Sequence, residues 1–157
     1  MTTAPLVLHW PTEDDTAQAA RAIGAALRPG DVILLEGDVG AGKTHFARAL
    51  IQSLLVEWED VPSPTFTLVQ IYDTKNGPLW HTDLYRISSD TEIDELGLFD
   101  AFETAICLVE WPDRLGAMAP QDALTIAIDM QCDGRSARLS WANARWEDRL
   151  SDMAHRV

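Results

Sequence analysis

Lysine is almost missing from these 157 residues: only Lys43 and Lys75 occur. Lysine and arginine together number 12 against 25 aspartates and glutamates, for a formal net charge of -13. A surface that negative repels phosphate backbones, which argues against unaided tight binding of tRNA or DNA and favours attraction to a basic protein partner. Cysteine is scarce too. Cys107 and Cys132 form no C-x-x-C pair, so no disulfide framework is expected, and Cys107, inside an apolar run, reads as a packed thiol. No stretch approaches the ~18 apolar residues of a membrane span, and the first residues lack a basic segment followed by an apolar one. The expected address is the cytoplasm. No internal repeat, linker or low-complexity block divides the chain, so one domain is expected over residues 1–157.

Strand and helix patterns then alternate. Residues 6–10 read as a first strand, and Thr12 caps a helix whose acidic start (Glu13, Asp14, Asp15) suits the positive end of its dipole. The run Val32, Ile33, Leu34, Leu35 is continuously apolar between turn residues, as a strand buried on both faces requires. Beyond it, Phe46, Ala47, Leu50, Ile51 and Leu54 recur at helical spacing. Residues 66–72 and 79–85 read as strands of a hairpin around Asn76-Gly77, both tolerant of positive φ, and 88–104 as one helix with Phe99 and Phe102 facing inward. A second central parallel strand is expected at 105–109, then an antiparallel hairpin across Asp133-Gly134, with a strand and a weakly patterned helix in 135–157. The fold class that follows is α/β, a mostly parallel central sheet flanked by helices, with antiparallel hairpin strands.

Between the second strand and the second helix stands Gly37-Asp38-Val39-Gly40-Ala41-Gly42-Lys43-Thr44. This matches G-x-x-x-x-G-K-[ST], the P-loop, whose glycines let successive backbone N–H groups converge on phosphate oxygens. Lys43 would reach the β and γ phosphates, the Thr44 hydroxyl would ligate Mg2+, and the helix N-terminus adds its positive dipole. The bland alternative, a merely structural glycine turn, is disfavoured by the strand pattern before the loop and the helix pattern after it. Guanine specificity of the Ras type uses N-K-x-D, which this sequence lacks, so ATP is favoured.

Two carboxylates fit the remaining part of such a site. Glu110 ends the apolar run where a Walker-B acid would sit, and Asp83 ends a strand in His81-Thr82-Asp83-Leu84-Tyr85-Arg86. Either could hold Mg2+ through water or orient the nucleophile; the bland alternative is a solvated acid at a strand end. His81 with Asp83 suggests half a metal site, but without further ligands a surface imidazole is the expectation.

The residues also resemble a known family, TsaE, the small bacterial ATPase of tRNA threonylcarbamoyladenosine synthesis. The resemblance is carried by the P-loop, Ser63-Pro64-Thr65-Phe66-Thr67-Leu68-Val69, the segment His81 to Arg86, Glu95-Leu96-Gly97-Leu98, and Leu108-Val109-Glu110-Trp111-Pro112. It implies a P-loop ATPase using ATP and Mg2+, with Thr44 and Glu110 as the magnesium-site residues, and Lys43, Asp83 and Glu110 as the catalytic group. It implies a switch-like mobile loop over 63–67, with Thr65 or Thr67 sensing phosphate. It also implies that Glu13 and Thr16 join Asp38, Val39, Gly40, Ala41, Gly42, Lys43, Thr44 and His45 on the nucleotide, although Glu13 and Thr16 serve equally as helix-capping residues. Trp111 would stand beside the site or simply pack. His45 departs from the family's usual second threonine, so altered affinity is expected. The resemblance further implies partnership with TsaD and TsaB, where ATP hydrolysis supports repeated threonylcarbamoyl transfer.

Two other functions fit a P-loop. A small-molecule kinase would need a lid bringing arginines over the phosphates; residues 57–64 contain none, and Arg86 and Arg114 stay open for that role. A nucleotide-gated interaction module would bind ATP and hydrolyse it negligibly.

Overall fold

The computed structural model describes residues 5–38, 42–64 and 67–154. The chain begins β1 (Leu6–Trp10), α1 (Glu13–Ala25), β2 (Val32–Glu36) and α2 (Lys43–Leu54). It continues through β3 (Val69–Thr74), β4 (Gly77–Asp83), α3 (Asp90–Glu95), α4 (Leu98–Thr104) and β5 (Ile106–Glu110). A 3-10 segment at Pro112–Met118 leads to β6 (Leu124–Gln131), β7 (Gly134–Ser140) and α5 (Arg145–Ala154). All seven strands join one sheet in the order β1-β7-β6-β2-β5-β4-β3. The central four, β6, β2, β5 and β4, run parallel, while β3, β7 and β1 pair antiparallel at the flanks.

The continuous apolar runs are explained by helices on both faces. Ile33 and Leu35 of β2, with Leu108 of β5, pack in the cluster that includes Ala20, Leu50 and Trp146 from α1, α2 and α5. Val32, Leu34, Cys107 and Val109 point the other way, onto Ile93, Leu98 and Ala101 of α3 and α4. Alternate residues of a strand face opposite sides, so both sets must be apolar. Cys107 is buried, and burial pushes its thiol up to about 12.

Three local expectations change. The segment expected as one helix splits into α3 and α4 at Gly97, whose φ of 80° favours glycine over residues that carry a Cβ. Leu98 and Ala101 are then buried, while Phe99 and Phe102 are only partly covered. The β3–β4 turn uses Lys75 and Asn76, and only Gly77 takes a positive φ, 116°. Strand β3 starts at Val69 because Leu68 is left-handed (φ 69°) and gives its carbonyl to the Thr82 hydroxyl at 2.6 Å and the Asp83 amide at 3.0 Å.

Parallel pairing fixes where the chemistry-bearing residues meet. Leu35 pairs with Glu110 and Glu110 with Asp83, so β2, β5 and β4 all end at one edge of the sheet. Ligand sites of open α/β sheets form at that carboxyl edge.

Candidate active site

Helix α2 begins at Lys43, directly after Gly42, which holds φ 107° and supplies no side-chain cap. The first amides of a helix have no partner within it, so this end presents N–H donors and a positive dipole to an anion. Val39, Gly40 and Ala41 lie outside the described residues. Asp38 is exposed on the loop.

Lys43 is buried, and its ammonium donates to the Gly37 carbonyl. The same Nζ stands 3.7 Å from the centroid of the Trp111 ring. Burial pushes the ammonium below the ordinary lysine value, against the pull of the Glu110, Asp83, Asp38 and Asp113 carboxylates. A carbonyl and an aromatic face thus help hold a charge that phosphate would neutralise. Trp111 reaches this place through a left-handed backbone (φ 58°), an uncommon conformation for a bulky residue, and its ring packs 4.8 Å from that of Tyr85.

In the first turn of α2, the Thr44 hydroxyl donates to Glu110 Oε1 at 3.0 Å. Glu110 is 2% exposed, and its other oxygen, Oε2, lies 2.7 Å from His81 Nε2. His81 is itself 0% exposed, which corrects the expectation of a surface imidazole. Strand β4 is an interior strand between β3 and β5, with the sheet faces over His81, Thr82 and Asp83 covered. Asp83 sits opposite Glu110 in the parallel register and accepts the Tyr85 amide at 2.9 Å.

Hydroxyl and carboxylate oxygens side by side suit Mg2+, which prefers hard oxygen donors and commonly takes one or two carboxylates together with substrate phosphates and water. Among the described residues no cluster of three His, Cys, Asp or Glu side chains forms a self-sufficient metal cage. Thr44 and Glu110 therefore fit an ion shared with a nucleotide.

On the other flank, Glu13 opens α1 with its side chain exposed, and its carbonyl lies 3.1 Å from His45 Nε2. Thr16 is fully buried, its hydroxyl directed at the Thr12 carbonyl 3.5 Å away, which makes it part of the helix start. Thr12 and Asp15 complete a capping box there. Of the proposed switch loop, Thr65 and Phe66 lie outside the described residues, and Thr67 is exposed and accepts from Gln70 at 3.3 Å.

Arg135 joins the site without having been read from the sequence. Because β6 runs parallel to β2, the β6–β7 turn overhangs the same carboxyl edge as the P-loop. A Cβ added to Gly42 would lie 2.6 Å from Arg135 Nε, and Arg135 Nη2 is 3.8 Å from Glu13 Oε1. Gly134 permits this return, since a Cβ there would meet the Trp10 carbonyl at 2.6 Å. No local signal announces Arg135; only strand order brings it to Gly42.

A family model described as "Threonylcarbamoyl adenosine biosynthesis protein TsaE" matches residues 10–138. The chain is 36% identical over 124 residues to the tRNA threonylcarbamoyladenosine biosynthesis protein TsaE of Rickettsia bellii, covering 79% of this chain and 86% of that one. It is 40% identical over 124 residues to the protein of that name from Bacillus subtilis, covering 77% of each. The crystal structure of Bacillus subtilis YdiB superposes with a TM-score of 0.79 at 29% identity, covering 99% of this chain and 98% of the other.

Proposed function

The chain belongs to the TsaE family of threonylcarbamoyladenosine biosynthesis proteins, and on that premise we propose that it is a Mg2+-dependent ATPase working in complex with TsaD and TsaB. The direct contact between Thr44 and Glu110 supports this reading best, because it joins the P-loop helix to the acid at the end of β5. In phosphoryl transfer there is little covalent chemistry for a protein to do, so positioning and charge stabilisation carry the rate. Mg2+, when bound, would supply neutralisation of the charge on the phosphates. Asp38 to Thr44 would bind the phosphates, with Lys43 on the β and γ groups. Glu110 and Thr44 hold the metal side, and Asp83 orients the attacking water. Glu13, His45 and Arg135 line the opposite flank, where they bound the rest of the nucleotide. Thr16 contributes by holding the start of α1. The cytoplasm, where tRNA is modified, belongs to the same proposal.

Two clefts among the described residues lie away from the P-loop side chains. A cleft of about 360 Å³ between α1 and α2 is lined by Arg21, His45, Arg48 and Trp58, and one of about 460 Å³ lies beside Gly30 at the far edge. Neither is lined by Lys43, Asp83 or Glu110.

The decisive experiment is reconstitution of threonylcarbamoyl transfer to tRNA by TsaD and TsaB, with and without this chain. Multiple turnovers are expected with ATP and this chain present, and a single round when a non-hydrolysable analogue must serve in its ATPase step. Equal turnover with the analogue would leave a nucleotide-gated module. No effect of the chain under any condition would overturn the reading.

A further inference from the structure

His81 is completely buried against a residue the proposed chemistry needs, yet that chemistry gives it no task. We propose that His81 is a positioning residue: its Nε2–H holds one oxygen of Glu110, so that the other oxygen alone faces Thr44 and the metal side of the site. The inference rests on reading Thr44 and Glu110 as the Mg-ATP site.

The register explains how the two meet. His81 pairs with Leu108 and Asp83 with Glu110, so by the two-residue period of strands all four side chains lie on one face. Leu108 belongs to the cluster beneath α2, so this is the face that carries the P-loop helix. His81 thus stands one pair deeper in the sheet than the two carboxylates and reaches Glu110 from the interior. Thr44 approaches the same carboxylate from the helix.

An ionised carboxylate only accepts hydrogen bonds, so the 2.7 Å contact puts a proton on His81 Nε2. The two oxygens of Glu110 are then divided between partners, Oε1 with Thr44 and Oε2 with His81. A carboxylate at the end of a strand, with the buried Lys43 ammonium nearby, could otherwise rotate toward that charge or offer both oxygens at once. Partners of this kind fix the orientation of ligating groups in metal sites. Among the described residues, His81 Nδ1 has no hydrogen-bond partner. A histidine kept for packing alone gains nothing from that unpaired nitrogen, and a leucine or phenylalanine would avoid the loss. The contact made by Nε2 accounts for keeping the imidazole.

The test measures ADP affinity as a function of Mg2+ concentration for the wild type, His81→Phe and His81→Gln, with thermal melting alongside. Without Mg2+, all three should bind ADP alike, because the hydrogen bond of His81 among the described residues goes to Glu110 and not to the loop. With Mg2+, the half-saturating concentration for His81→Phe should rise about tenfold or more, the loss typical of removing a ligand's orienting partner. His81→Gln, whose amide nitrogen reaches the region of Nε2, should return most of the way to wild type. A wild-type Mg2+ response in His81→Phe, or equal shifts in Phe and Gln, would overturn the positioning role. If His81→Phe does not fold, His81→Asn replaces it: its amide falls short of Glu110, and Mg2+ dependence equal to that of Gln overturns the proposal. ADP binding by the wild type that ignores Mg2+ would instead defeat the ATPase reading itself, and this inference with it.

Discussion

The Thr44 hydroxyl and Glu110 Oε1, 66 positions apart in sequence, meet at 3.0 Å. The contact ties the first turn of α2 to the end of β5, and so the phosphate-binding loop to the acid of a neighbouring strand. Glu110→Gln keeps the shape and can still contact Thr44, but it removes the charge. ATP hydrolysis should fall by about a hundredfold or more while ADP binding persists. Steady-state turnover beside a binding titration checks both halves. Normal hydrolysis in Glu110→Gln would move the central role to Asp83, its neighbour in the register.

Lys43 gives a prediction about stability. Burial lowers its folded-state value, so between that value and the ordinary 10.5 the unfolded chain holds a proton that the folded chain has released. Wild-type stability should therefore rise with pH through that window, and at neutral pH the charged ammonium costs the fold. Lys43→Met should lose nucleotide binding yet melt at or above wild type at neutral pH, with the difference shrinking toward pH 10.5. If the Trp111 face and the Gly37 carbonyl outweighed desolvation, the variant would melt lower at neutral pH.

Arg135 stands over Gly42 on the flank away from Glu110, where its charge can meet an anionic ligand. A hydrogen bond to a charged group contributes about 1.5–3 kcal/mol, so Arg135→Ala should weaken ATP and ADP binding by roughly tenfold or more. Calorimetric titration reads this directly. Unchanged affinity would leave Arg135 a structural residue beside Glu13.

The missing guanine tetrad predicts nucleotide preference. ATP and ADP should bind in competition with each other and resist displacement by GTP at equal concentration. Tight GTP binding with negligible ATP binding would reverse the assignment.

The P-loop, Glu110 and Asp83 were legible because each is a local pattern: glycines before a helical period, and an acid closing an apolar or alternating run. The parallel centre of the sheet was legible from Val32 to Leu35 and Ala105 to Val109, whose lack of alternation demands cover on both faces. His81 was misjudged because β4 looks like half of an exposed hairpin until β5 is known to pair along its other side. Arg135 was invisible for a similar reason. Its place depends on β6 lying beside β2, a choice among strand orders that no short stretch of sequence encodes. The break at Gly97 was missed because Ile93, Leu96, Phe99 and Phe102 carry an apolar helical spacing straight through it.

Turnover by the protein alone should be slow and rise sharply with a TsaD–TsaB complex. The candidate phosphate-sensing loop 63–67 holds no arginine, the net charge is -13, and the motifs resemble a family that works inside an assembly. Arg135 amends the first point, since the β6–β7 hairpin brings a guanidinium to Gly42. It stands by the loop flank, however, while the Asp83 side of the site depends on a different connection. There the Leu68 carbonyl is held by both the Thr82 hydroxyl and the Asp83 amide, and Leu68 keeps a left-handed φ of 69°. A shift in the segment before Leu68 therefore acts directly on the backbone that aims Asp83. A basic partner drawn to the acidic surface and docking on residues 63–67 can stabilise the competent arrangement through its differential contacts. ATP turnover measured alone, with tRNA and with the partner pair decides the matter. Strong activation by bare tRNA, or full activity with no partner, would sink the partner-dependent mechanism even if every proposed nucleotide contact held.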